Sequence, residues 1–131
     1  MARNLSKSEA IEVVESFLVQ RLNHEGWYQN ISKEIYAILL YGSAAKGLNT
    51  EKSDIDVMIL LPLEAEKKFT DGEYFYNFRG QTVNVVLRSI EKLREVTSAR
   101  DEFQKEIFRE SEIIWQKDGE VAKLLLELEN N

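Results

Sequence analysis

The chain has 131 residues, 44% of them apolar, and a formal net charge of −6. Its length and apolar content suit one globular domain over residues 1–131 and exclude a disordered chain. The acidic balance argues against a general nucleic-acid binder, which needs a basic surface to displace counterions, and the lack of cysteine removes disulfides, thiolate metal sites and cysteine mechanisms.

In chain order, Ser6-Lys7-Ser8-Glu9 reads as a capping box, and Ala10, Val13, Val14, Phe17, Leu18 and Leu22 follow helical spacing. The pattern predicts a helix over about 6–24, ending near Gly26. Ile35 to Tyr41 reads as a short buried strand, Ser43 to Leu48 as a turn with a brief helix, and Ser53 to Leu61 as a second strand closed by Pro62. A short helix over Leu63 to Lys68 follows. Glu73 to Phe78 and Thr82 to Leu87 then read as two strands joined at Arg79-Gly80 by a tight hairpin. Ser89 caps a helix to about Val96, and another helix covers about 100–109. Glu112 to Gln116 is a last strand, Asp118-Gly119 breaks the chain, and Val121, Leu124, Leu125 and Leu128 mark a terminal helix. This order predicts an α+β fold, a mixed β-sheet with helices packed on it.

No apolar run is long enough to span a bilayer, so no membrane association is expected. The opening MARNLSKSEA has no apolar h-region and is not read as a secretory signal, which fits a cytoplasmic protein. A basic strip at Arg79, Arg88, Lys92, Arg94 and Arg100 reads as solvated helix faces. The lone His24, at a helix end, leaves little to build a zinc site on. Tyr74, Phe75, Tyr76 and Phe78 read as sheet packing rather than base stacking, and Trp27 and Trp115 as packing residues.

The densest signal is Tyr41 to Leu61, YGSAAKGLNTEKSDIDVMILL. An apolar run stops at Gly42-Ser43, a small-residue turn follows, and Asp54 and Asp56 head the next apolar run. Side chains at i and i+2 of a strand share a face, and two carboxylates so placed repel unless a cation lies between them. Ser43 opens a candidate helix N-terminus, where backbone N–H groups favour phosphate. A phosphate cradle beside a divalent-metal clamp points to magnesium-nucleotide chemistry.

Gly42-Ser43, ten residues, then Asp54-Ile55-Asp56 resembles the signature of the polymerase-beta-like nucleotidyltransferase superfamily, in its minimal, single-domain form. Ala45, Gly47 and Ser53 match small-residue positions of its short members. The resemblance implies the nucleotidyltransferase fold and transfer of a nucleoside monophosphate, AMP from ATP, to an acceptor hydroxyl. It makes Asp54 and Asp56 the catalytic, metal-binding pair, with two magnesium ions about 4 Å apart. Gly42, Ser43 and Lys46 become the nucleotide-binding residues.

The family's third carboxylate, which completes the catalytic metal's site, belongs on the strand Thr82 to Leu87. The polar residue there is Asn84, which brings a carbonyl oxygen but no charge, so the second ion's site is weakened or lost. If Arg79-Gly80 is a two-residue loop, Phe75 faces Asn84 and Glu73 faces Val86, and Glu73 becomes a substitute ligand about 7–8 Å away by Cα. A slip of one residue would turn Glu73 to the other face, and its alternative is an exposed strand-start glutamate.

Two functions follow. One is a magnesium-dependent nucleotidyltransferase whose acceptor is held by a partner or by a second copy of the chain. Short members of the superfamily pair with an all-helical HEPN protein, acting as antitoxins that modify a tyrosine hydroxyl of the toxin. The other is a non-catalytic module that binds magnesium-nucleotide or a partner, with Asn84 in place of the third carboxylate.

Overall fold

In the computed structural model, which describes residues 4–50, 53–69, 72–98 and 102–129, the first helix begins where the capping box sets it. Ser6 Oγ accepts from the Glu9 N–H and Glu9 Oε1 accepts from the Ser6 N–H, each at 3.1 Å. Such a cap is worth about 1 kcal/mol. The elements are β1 (Asn4–Leu5), α1 (Lys7–Gln20), α2 (Gly26–Ile31), β2 (Ala37–Tyr41), β3 (Asn49–Thr50), β4 (Ile55–Leu61), α3 (Leu63–Glu66), β5 (Glu73–Phe78), β6 (Gln81–Ser89), α4 (Ile90–Ser98), α5 (Glu102–Arg109), β7 (Glu112–Gln116) and α6 (Glu120–Glu129). Short 3-10 turns lie at Leu22–His24, Ser32–Glu34 and Gly42–Lys46.

The expected α+β fold is present: a mixed five-stranded sheet in the order β5-β6-β4-β2-β7, with helices on it. β4 runs antiparallel to β2 and parallel to β6, while β5 and β7 form antiparallel edges. Arg79 and Gly80, at φ 54° and 77°, make the two-residue hairpin turn. The register is the expected one, with Phe75 opposite Asn84 and Glu73 opposite Val86.

Alternation along the strands builds two cores. Ile55, Val57, Ile59 and Leu61 of β4 meet Val83, Val85 and Leu87 of β6 and the α1 residues Val14 and Phe17. On the opposite face Met58 and Leu60 pack with Leu39 under α4, α5 and α6, through Leu93, Phe108 and Val121. Asp56 and Asn84 belong to this second face, one step along the strands from Met58 and Val86.

Several local expectations are corrected. The first helix stops at Gln20 rather than near His24; a 3-10 turn and the separate helix α2 follow. α2 is held by Trp27, which stacks on Tyr74 at 4.4 Å between ring centroids and donates to Tyr76 Oη at 2.9 Å. Trp115, by contrast, is 46% exposed on the edge strand β7 and is not a core residue. The second strand starts at Ile55, so Asp54 lies just before it. The strip of basic residues is dispersed: Arg79 lies over Phe78 at the hairpin, Arg94 pairs with Glu91 and Glu120, and Arg88 and Lys92 share a cavity. Arg100 lies outside the described residues.

Candidate functional site at the open end of the sheet

The hydrogen-bonding register brings Tyr41, Asp56, Asn84 and Phe75 into one row across four strands. The helices of the second face leave this row partly open: Asp54 is exposed, Asp56 half-buried and Phe75 62% exposed. Gly42 closes the row at the end of β2. Its φ of +71° belongs to the left-handed region that glycine tolerates, and a Cβ there would sit 2.6 Å from Asp56 Oδ2. Two independent constraints therefore require glycine: the backbone conformation of the turn and its closeness to the Asp56 carboxylate. Gly42 itself starts the 3-10 turn, a single five-residue turn rather than the helix expected to open at Ser43.

Asp54 is placed by contacts that sequence reading missed. The buried Gln81 side chain donates from Nε2 to the carbonyls of Thr50 and Ser53, both at 3.1 Å. Thr50 and Ser53 also join side chains at 3.0 Å. These bonds pin the approach to Asp54 to the start of β6. Gln81 follows the hairpin glycine, a position that reads as surface-turn chemistry in sequence; only the fold turns it inward.

The electrostatics centre on Asp56. Burial first, then the Asp54 charge, push its carboxyl up to about 6; Glu73 adds to the rise and the Asn84 amide opposes it. Tyr41, opposite Asp56, is pushed up to about 12 by burial and by the Asp56 charge, with Arg88 pulling the other way and Glu73 raising it further. Asn84 donates from Nδ2 to Glu73 Oε1 at 2.9 Å, and its carbonyl oxygen is buried without a hydrogen-bond partner. Asn84 therefore presents its amide hydrogens, not its oxygen, to a carboxylate. Lys46, on the same turn as Ser43, forms an ion pair with Glu110 at 2.8 Å, at the end of α5.

Among the described residues, no group of three or more His, Cys, Asp or Glu is arranged to hold a metal. Asp54 and Asp56 nonetheless fit a single hard cation. They offer carboxylate oxygens from adjoining backbone, and the Asp54 charge, after burial, is what raises Asp56, as two carboxylates close to one another do. A second ion fits less well, because the Asn84 amide already engages Glu73.

The sequence pattern of the polymerase beta nucleotidyltransferase family matches residues 28–120, which include the turn, both aspartates and Asn84. The chain belongs to the polymerase beta nucleotidyltransferase family. No curated protein matches it. Among solved structures it is similar to a nucleotidyltransferase-like protein from Exiguobacterium sibiricum 255-15, with a TM-score of 0.56 and 11% identity over 88% of this chain. It spans only 38% of that protein, and at this identity the likeness speaks for the fold alone. A toxin-antitoxin structure with AMP-PNP also matches, at 17% identity and a TM-score of 0.44, over 79% of each chain. No helix among the described residues is long and apolar enough to cross a membrane.

Proposed function

We propose that this chain is a nucleotidyltransferase that moves AMP from ATP to an acceptor hydroxyl. The observation that carries the reading is the packing of the Gly42 turn against Asp56, in a chain that belongs to this family. Gly42 and Ser43 hold the outer phosphates by backbone N–H groups and the Ser43 hydroxyl. Asp54 and Asp56 hold magnesium, and Lys46 reaches the phosphates once it leaves Glu110. When bound, magnesium supplies the charge that stabilises the attacking and leaving oxygens.

The protein's own residues orient the reactants. The acceptor oxygen bonds to the α-phosphorus, the bond from that phosphorus to the pyrophosphate oxygen breaks, and the hydroxyl proton passes to water. Glu73 and Asn84 act as one hydrogen-bonded unit beside Asp56 and fix its surroundings. A cytoplasmic setting and a helical HEPN-type partner, or a second copy of the chain, complete the proposal.

The test is incubation with ATP labelled at the α-phosphate, magnesium and candidate acceptors, including the neighbouring gene's product. Transfer that Asp54→Ala and Asp56→Ala each reduce by orders of magnitude supports the reading; transfer that survives either change contradicts it. A second reading is favoured by the Asn84–Glu73 hydrogen bond, which stands where the family has a carboxylate. In it the chain binds magnesium-nucleotide without turnover. ATP binding without transfer, with transfer gained by Asn84→Asp, selects that reading.

A further inference from the structure

On the second face, the row beyond the carboxylates opens into a cavity of about 420 Å³. Its floor is Tyr41, Met58 and Val86, and α5 supplies an apolar wall of Phe103, Ile107 and Phe108. Arg88 and Lys92 enter from β6 and α4. The floor begins at the carboxylate row with Tyr41, and Met58 and Val86, two residues past Asp56 and Asn84, extend it about 7 Å along the strands. The volume is that of a small-molecule site.

Along the strands, Met58 and Val86 of the cavity lie on one side of that row and the Gly42 turn on the other, while Tyr41, Phe103 and Ile107 line both the cavity and the trough beside Gly42. The turn follows Tyr41, at the end of β2 that faces Asp56, whereas Met58 and Val86 continue away from it. Phosphoryl displacement runs with the attacking and leaving oxygens in line through phosphorus. With pyrophosphate held at the turn and the α-phosphate at Asp56, the attacking hydroxyl must approach from the far side, where this cavity opens. The inference rests on the transfer reaction proposed above.

Charge narrows the occupant. In a chain of net charge −6, two cations in one apolar cavity are a local exception. Arg88 uses one donor on the Leu87 carbonyl at 2.9 Å, which leaves most of its guanidinium fork for a ligand. Glu73, opposite Val86 on the floor, is engaged by Asn84. The neighbouring trough of about 200 Å³, beside Gly42, is lined instead by Glu106, Glu110 and Lys46, and Lys46 already pairs with Glu110. The larger cavity has Arg88 and Lys92 and no carboxylate among its lining residues.

We infer that this cavity seats the acceptor, and that the acceptor is a small hydroxyl compound with an apolar body and an anionic group held by Arg88 and Lys92. The domain then carries its own acceptor site, in place of one held by a partner or by a second copy of the chain. The acceptor's O–H gives its proton to water and its oxygen to the α-phosphorus, while pyrophosphate leaves with the electron pair of the broken P–O bond.

Met58 is one of only two methionines in the chain, the other being Met1, so methyl-labelled methionine places a reporter in the cavity floor. The probes are 4-hydroxyphenylpropionate and its neutral amide, titrated into the full chain with and without ATP and magnesium. The acid should shift the Met58 methyl signal and bind at least about tenfold more tightly than the amide. Arg88→Gln with Lys92→Gln should erase that preference while magnesium-ATP still binds. Equal binding of acid and amide, or no shift at Met58, overturns the inference. So does displacement of the acid by ATP, which would give the cavity to the nucleoside. α-Label transfer is scored separately: charge-selective binding at Met58 without any transfer refutes the enzymatic reading and leaves the cavity's anion preference standing.

Discussion

Gly42→Ala separates two costs that are usually confounded. An alanine at φ +71° carries a left-handed backbone penalty of about 1–2 kcal/mol. Its Cβ would also lie 2.6 Å from Asp56 Oδ2, where ordinary contact begins near 3.4 Å, so the carboxylate must retreat by about 0.8 Å. A functional site tolerates displacements of about 0.5 Å, and a misplacement of about 1 Å can cost on the order of a hundredfold in rate. Gly80→Ala supplies the control: its φ is +77°, but nothing lies within 4 Å of the new Cβ. Both variants should lose about 1–2 kcal/mol in urea denaturation. Only Gly42→Ala should lose transfer, on the order of a hundredfold, and weaken magnesium-ATP binding in titration calorimetry. Two variants alike in ATP affinity and transfer would refute the reasoning.

Asp56 gives the chain a pH signature without metal. Its folded pKa, raised from 3.8 to about 6, means that folding favours the protonated form. The stabilisation is complete below about pH 4 and is lost as pH rises through about 6. Discounted for partial exposure, it amounts to about 1–2 kcal/mol. Denaturation from pH 4 to 7 should show this fall in the wild type and not in Asp56→Asn; parallel curves would contradict the electrostatics. Gln81→Leu removes both bonds to the Thr50 and Ser53 carbonyls and should cost about 1–3 kcal/mol. It should also weaken magnesium binding more than a substitution of similar cost at Val121 does, and equal effects would show that Gln81 does not position Asp54. Asn84→Asp sets a third carboxylate against Glu73 and Asp56, so the metal-free protein should lose about 1–2 kcal/mol and regain it with magnesium. A melting temperature equally insensitive to magnesium in both proteins would argue against a cation at this row.

Elements governed by local chemistry were legible in the sequence. The Ser6–Glu9 box fixed the start of α1, Arg79-Gly80 fixed the hairpin, and through it the register that sets Glu73 beside Asn84. What escaped depends on partners distant in sequence. α2 has no amphipathic length of its own and exists because Trp27 reaches Tyr74 and Tyr76. The pairing of β1 with β3 rests on two residues in each strand, too few to leave a pattern. Ser53 and Asp54 have no ladder partner in the sheet, so β4 begins at Ile55. At the site, the aspartates and the turn are contiguous in sequence and were found together. Tyr41 as neighbour of Asp56, Gln81 as anchor of the loop, and Glu110 as partner of Lys46 needed the assembled sheet and α5 to be seen.

The most direct test is a crystal structure with manganese and a non-hydrolysable ATP analogue, read by anomalous scattering from the metal. The account predicts a metal peak within coordination distance of both Asp54 and Asp56, the outer phosphates against Gly42 and Ser43, and the α-phosphate between them. A nucleotide bound elsewhere, or a metal that contacts neither aspartate, would contradict it.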